Sequence, residues 1–87
     1  MKLYNIAYRE SNVEPKTGTV VDGNIGFDSL KQARDNMRSI YANHIIRGWK
    51  LIESNPFKDS WSMLLFERNN EVAGHERHEY YITKAVI

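Results

Sequence analysis

One helical stripe constrains the architecture of this chain. Apolar side chains between residues 28 and 47 recur at the spacing of one helix face, and neither proline nor glycine interrupts them. The members of the stripe are Leu30, Ala33, Met37, Ile40, Tyr41 and Ile45. Ser29 and Gln32 have the spacing of a capping box, and Gly48 suits the position after the last turn. The sequence therefore predicts one amphipathic helix over residues 28–47.

Segments on both sides of this helix alternate with a period of two, which predicts strands. We expect strands over 2–9, 17–21, 49–54, 61–68 and 79–87, with an extended piece over 25–27. The expected breaks are loops over 11–16 and 69–77, a turn at Asp22-Gly23-Asn24 and a strand end at Asn55-Pro56. The element order is ββ-α-βββ. The predicted fold is therefore α+β, an antiparallel sheet of four to five strands with one helix packed on one face. Its length suits a single domain spanning 1–87.

The composition excludes several kinds of site. The 87 residues include no cysteine, which rules out disulfides, thiolate metal ligands and a cysteine nucleophile. No glycine-rich nucleotide loop is present, so we predict no cofactor. No apolar run approaches the roughly 20 residues that span a bilayer, and the first ten residues lack a signal-peptide core. These features predict a cytoplasmic protein with no membrane partner.

The charge balance gives little support to a nucleic-acid partner. Twelve basic and eleven acidic residues leave a net charge of +1, whereas proteins held by phosphates usually carry a basic surplus. The helix segment is mildly basic, and Arg34 and Arg38 could contact phosphates from it. Tyr4, Tyr8 and Tyr80 could instead stack on bases. Nucleic-acid binding through either set is an alternative that we do not favour.

Two histidines lie among charged residues near the end of the chain. His75 and His78 could ligate a metal, but a separation of three in an extended chain puts them on opposite sides. No third ligand is evident, so we predict no metal site. A second alternative is a small metal-free ribonuclease, for which the chain offers residues of the required types: His75, His78, Arg68, Arg77 and Lys84. His44 is interpreted as a partly buried histidine at the edge of the helical stripe.

The strands carry more apolar surface than one helix can cover. Both faces of 61–66 and of 80–87 have large apolar side chains, and small monomers rarely leave such patches in water. The candidate self-association residues are Trp61, Met63, Leu65, Tyr81, Ala85 and Ile87. We expect an isologous homodimer, formed through this surface or through the edge of the C-terminal strand. The predicted function is a small, non-enzymatic, self-associating binding or regulatory module, with a protein partner or another ligand.

Overall fold

In the part of the chain that the structure describes, one helix packs on a five-stranded antiparallel sheet. The computed structural model describes residues 2–14, 20–70 and 74–85. The elements are β1 (Tyr4–Glu14), β2 (Val20–Phe27), α1 (Leu30–Ile46), β3 (Lys50–Phe57), β4 (Ser60–Asn70) and β5 (Gly74–Lys84). The predicted α+β class, with its ββ-α-βββ element order, is confirmed.

The C-terminal strand lies in the middle of the sheet. The strand order is β2-β1-β5-β4-β3, so β5 pairs with β1 on one side and with β4 on the other. The last three strands form the predicted meander. The predicted dimer contact through the edge of the C-terminal strand is wrong, because both edges of β5 already have partners within the chain. The edges of the sheet are β2 and β3.

The two ends of α1 are capped as predicted. The Ser29 hydroxyl accepts a hydrogen bond from the backbone N–H of Gln32 at 3.2 Å, and the Gln32 side chain accepts one from the N–H of Asp28 at 3.0 Å. Gly48 follows the helix with φ of +84°, a conformation that glycine adopts without strain. No helix among the described residues has the length and apolar character needed to cross a bilayer.

Two predicted breaks in the strands are wrong. The Asp22-Gly23-Asn24 segment is not a turn but lies inside β2, where Gly23 is opposite Tyr8. The hydroxyl end of Tyr8 occupies the place of a Cβ at residue 23, so glycine here permits a close approach within a strand. Pro56 does not end β3, which continues to Phe57. Its missing N–H is tolerated because β3 is an edge strand.

The strands extend into both predicted loops. β1 runs through Ser11 to Glu14, and β5 begins at Gly74, so His75 and Arg77 belong to a strand. These two extensions pair with each other across the sheet, which supplies hydrogen bonds that the local sequence does not reveal. The remaining parts of the predicted loops, at 15–16 and 71–73, and residues 17–19 of a predicted strand, lie outside the described residues.

The core lies between α1 and one face of the sheet. Ala33 and Met37 are fully buried, and α1 packs mainly on β4. The buried residues that pack together there are Ile6, Ala33, Met37, Trp49, Leu64, Phe66 and Tyr80. Ile45, the last member of the predicted stripe, is 42% exposed. His44 takes the inward position at this end of the helix, where its ring stacks on Phe66.

A bulge in β4 separates Trp61 from its predicted neighbours. Met63 is opposite Asn55 and Trp61 is opposite Pro56, so β4 has one more residue than β3 between these pairs. The extra residue moves the Trp61 side chain to the helix side, where it stacks on Tyr41 with 4.4 Å between ring centres. Strict alternation along the strand predicted over 61–68 places Trp61, Met63 and Leu65 on one face, and this grouping is wrong for Trp61.

We expect Met37→Asp to abolish stable folding. Met37 has no exposed surface, so the variant places an uncompensated carboxylate in the core, at a cost of about 3–5 kcal/mol. Urea unfolding followed by circular dichroism measures the loss. Ser39→Asp adds the same charge at an exposed position of α1 and should change the free energy of unfolding by less than about 1 kcal/mol. Equal unfolding midpoints for Met37→Asp and wild type would contradict the assigned core.

Candidate active-site cleft

A cleft of about 360 Å³ lies where the C-terminal end of α1 meets the sheet. Residues from five elements, or directly beside them, line it: Glu10, Ile40, Asn43, His44, Arg47, Trp49, Arg68, Glu76, His78 and Tyr80. The strand register explains the convergence, because Glu10 of β1 and Phe66 of β4 are both directly opposite His78 of β5. Directly opposed residues of antiparallel strands share one face. This face is the one that α1 covers.

His44 presents one ring nitrogen to the sheet. Its Nδ1 lies 2.8 Å from the carbonyl oxygen of Ile40, one turn earlier in α1. A carbonyl can only accept, so Nδ1 carries a proton and donates it. In the neutral ring, Nε2 is then left to accept a hydrogen bond from the sheet. Stacking on Phe66, with 4.3 Å between ring centres, holds the ring in this orientation.

His78 lies between His44 and Glu10. Its Nδ1 is 2.9 Å from Nε2 of His44 and donates to that nitrogen. Its Nε2 is 3.4 Å from Oε2 of Glu10. The ring also stacks on Trp49 with 4.0 Å between ring centres. His44 and His78, here called the histidine pair, are thus connected directly to each other and to a carboxylate.

The contacts of the histidine pair require one more proton than two neutral imidazoles carry. Two neutral rings hold two protons, which serve the bond to Ile40 and the bond between the rings. A third proton, on Nε2 of His78, is needed for donation to Glu10. Nε2 of His78 therefore donates a hydrogen bond to the Glu10 carboxylate only when the histidine pair is protonated and His78 is an imidazolium.

Burial opposes this protonation. Loss of hydration lowers the pKa of both His44 and His78 below the ordinary 6.5. Two contacts act against burial. The hydrogen bond to the Ile40 carbonyl raises the pKa of His44, and the charge of Glu10 raises the pKa of both histidines. Burial, followed by Glu10, raises the pKa of Tyr80 far above its ordinary value, so its hydroxyl keeps its proton. That hydroxyl donates to Oε2 of Glu10 over 3.3 Å.

Two arginines bring positive charge to the cleft. The Arg68 guanidinium stacks on Trp49 at 4.4 Å from the ring centre and lies 3.1 Å from a carboxylate oxygen of Glu76. Arg47 and Asn43 lie at the end of α1 that borders the cleft. The two arginines and the two cleft carboxylates balance in formal charge. Protonation of the histidine pair therefore makes the cleft net positive.

The two histidines predicted to act together face opposite sides of β5. His75 lies 2.6 Å from Glu67, on the sheet face away from α1, while His78 lies in the cleft. Of the other predicted ribonuclease residues, Arg68 is in the cleft and Arg77 is directed to the same face as His75. Lys84 is at the opposite end of β5, opposite Tyr4. Within 2–14, 20–70 and 74–85, no cluster of three or more potential ligands could hold a metal ion.

The predicted nucleic-acid residues occupy two separate places. Arg34 and Arg38 both form ion pairs with Asp59, at 3.1 and 2.7 Å, and Arg38 also contacts Asp35. These carboxylates offset the basic charge of that helix face. The three predicted stacking tyrosines pack beneath α1 as part of the core or against it: Tyr4, Tyr8 and Tyr80. The structure therefore does not bring Arg34 and Arg38 together with a tyrosine platform.

Four of the six predicted self-association residues share the face away from α1, here called the open face. Met63 and Tyr81 are directly opposite each other, and Leu65 and Ala85 follow on the same side of their chains. Trp61 is on the other face, and Ile87 lies outside the described residues. Polar contacts lie elsewhere on the open face: ion pairs join Arg9 to Asp22 and Arg77 to Glu79, and the His75 side chain contacts Glu67.

The sequence indicates His78 as a candidate catalytic group, but it does not indicate that His78 lies beside Glu10, His44 and Tyr80. Glu10 continues the alternation of Tyr4, Ile6 and Tyr8. The predicted strand ends at residue 9, and one further residue would have placed Glu10 on the same face as these three side chains. Comparisons with protein-family models, with curated proteins and with solved structures return no significant match.

We expect the protein to lose stability as the pH falls through the weakly acidic range. The folded-state pKa values of both members of the histidine pair are below 6.5, so the unfolded chain binds protons more readily. The stabilisation is complete above about pH 6.5 and is lost as the pH falls through the folded-state values. Urea unfolding at pH 7.5 and 5.5 measures the difference.

A double variant, His44→Gln with His78→Gln, should show a smaller difference in unfolding free energy between these two pH values. His75→Gln is the comparison variant, because it removes a histidine on the other face and leaves the histidine pair intact, so the protein should remain less stable at pH 5.5 than at pH 7.5. A protein that is more stable at pH 5.5 than at pH 7.5 would contradict the assigned sign.

Proposed function

We propose that the cleft is an acid–base site and that the protein is a small ribonuclease that uses side chains alone for its chemistry. The observation that supports this proposal is the contact between Glu10 and His78 in an open cleft, with His44 behind the imidazole. A carboxylate and an imidazole held side by side are the groups that general base and general acid catalysis require. The two groups come from different strands and are held by the sheet register.

The proposed reaction is attack by an RNA 2′-hydroxyl on the adjacent phosphodiester. Glu10 accepts the proton of the 2′-hydroxyl as the bond from O2′ to phosphorus forms. The bond from phosphorus to O5′ breaks, and Nε2 of protonated His78 donates a proton to that oxygen. For this step the phosphate must enter between Nε2 and Glu10 and part their 3.4 Å contact. The products are a 2′,3′-cyclic phosphate and a 5′-hydroxyl, so the step needs no other reactant.

The remaining cleft residues have supporting roles in this proposal. The chain of hydrogen bonds from Ile40 through His44 leaves Nε2 as the nitrogen of His78 that faces Glu10. His44 is thus a positioning residue. Arg68, held by Trp49 and Glu76, supplies positive charge for the phosphorane.

A second candidate function is the non-enzymatic, self-associating module predicted from the sequence, with a homodimer or a protein partner and a cytoplasmic location. Two observations favour it. All four ring nitrogens of the histidine pair already contact protein groups, so the cluster is complete without a substrate. Met63 and Tyr81 lie opposite each other on the open face, which α1 leaves uncovered, and Tyr81 is 41% exposed, whereas Leu65 on the same face is already buried within the chain.

Cleavage of a dye-labelled RNA oligonucleotide tests the ribonuclease proposal. We expect cleavage of RNA but not of the matching DNA, which lacks the attacking hydroxyl. Glu10→Gln and His78→Gln should each lower the rate at least about 100-fold, the usual contribution of one acid or base. His75→Gln, on the same strand but the opposite face, should retain the wild-type rate.

The pH profile adds a separate readout. The acid must be protonated, and burial lowers the pKa of His78 below 6.5. The cleavage rate should therefore already be falling as the pH rises through 6.5. Absence of RNA cleavage between pH 4.5 and 8, with the wild-type protein folded, would rule out the ribonuclease and leave the binding module.

Sedimentation equilibrium tests the second candidate. We expect a species of twice the chain mass of 10.2 kDa at micromolar concentration. A concentration of about 100 μM is far above the dissociation constant of a specific interface of standard size. A protein that is still monomeric at this concentration would rule out self-association.

A further inference from the structure

We infer that two copies of this chain join through the outer edge of β2, so that their sheets form one continuous ten-stranded sheet. This inference rests on the second candidate function, self-association, and places the interface at a strand edge instead of on the open face. No strand among the described residues pairs with the outer edge of β2. Its backbone groups are therefore available to a second strand.

The two edges of the sheet differ in how well they resist pairing. β3 has register shifts on both sides of its centre and contains Pro56, features that prevent regular pairing with another chain. β2 pairs with β1 over eight consecutive residues without a shift, and it contains neither proline nor lysine. Asp22 is its only charged residue. β2 thus lacks the usual protection of an edge strand.

Apolar side chains on β2 are left uncovered by the position of α1. Val21 is opposite Glu10 and Ile25 is opposite Ile6, so both lie on the helix side of the sheet. Because α1 packs mainly on β4, these side chains remain 47% and 46% exposed. A second sheet edge beside β2 would cover them with apolar side chains of the same kind.

The sequence of β2 is complementary to itself in one antiparallel register. A two-fold axis perpendicular to the sheet at Gly23 places Val21 beside the partner's Ile25 on the helix side, and Asp22 beside the partner's Asn24 on the open face. An axis at Asp22 would put like charges together. An axis at Asn24 would place Ile25 beside the partner's Gly23 and leave this exposed side chain without an apolar neighbour. The register centred on Gly23 therefore pairs both exposed apolar side chains of the helix side, Val21 and Ile25, without charge repulsion.

These features favour a second copy over an unrelated peptide as the occupant. The two exposed apolar positions on the helix side of β2, Val21 and Ile25, lie symmetrically about Gly23, as an isologous interface requires. Both helices then lie on the same side of the joined sheet, and each cleft stays open because it is formed at the other side of β1.

Lysine substitutions distinguish the two edges. We expect wild type to be dimeric, and Val21→Lys with Ile25→Lys to weaken the dimer at least about 100-fold, because four ammonium groups would meet at the interface. Ile52→Lys is the matched control, since Ile52 is 45% exposed on β3. This control should remain dimeric, and circular dichroism should show all three proteins folded.

Each other outcome has a separate meaning. A dimer that survives the β2 substitutions but not Ile52→Lys would overturn the β2 interface while leaving self-association intact. A wild-type monomer at 100 μM would overturn both. If wild type is monomeric but an added β2 peptide, residues 20–27, binds it, the edge is active but the dimer inference is wrong.

Cysteine cross-linking tests the register in a chain that has no cysteine of its own. A mixture of Val21→Cys and Ile25→Cys proteins should form a mixed disulfide under mild oxidation, because these positions are opposite each other across the axis at Gly23. Each variant alone should cross-link far less. Efficient cross-linking of either variant to itself would show a different register and overturn the axis at Gly23.

Discussion

The structure depends on the burial of one helix against one face of a wide sheet. α1 has seventeen residues and the sheet has five strands, so a single helix covers only part of the face on which it lies. Met37 and Ala33 hold α1 over β4, and the rest of the molecule follows from that position. Within the described part of the chain, one side of the sheet has no second layer. β2 lies beyond the main helix contact, and the C-terminal end of α1 forms one wall of a cleft instead of a closed core.

The cleft results from a row of residues that crosses the sheet. Glu10, His78 and Phe66 are direct neighbours on three adjacent strands, and His44 stacks on Phe66 from the helix above. His44 and His78 are 34 residues apart in sequence. No local spacing rule joins residues at that distance, which is why the sequence identified each histidine separately but not the pair. The strand order, with β5 between β1 and β4, brings the carboxylate to the imidazole.

The parts of the fold that could be predicted are those determined by local contacts. The helix period and the Ser29–Gln32 cap depend on residues within one or two turns, and both are confirmed. The errors occur where pairing with distant strands overrides a local preference. Gly23 suggested a turn, but its lack of a side chain makes room for Tyr8. Pro56 suggested a strand end, but β3 is an edge strand. Its pairing with β4 continues to Phe57 although Pro56 has no N–H to donate.

The central place of β5 has a consequence for how the chain folds. β1 with β2, and β3 with β4 and β5, are two units of neighbouring segments, and they meet only where β5 pairs with β1. The pairing of β1 with β5 closes a long loop, so we expect it to form later than the pairings within each unit. Partly folded chains would expose two unsatisfied strand edges each, a state in which association between chains competes with completion of the sheet.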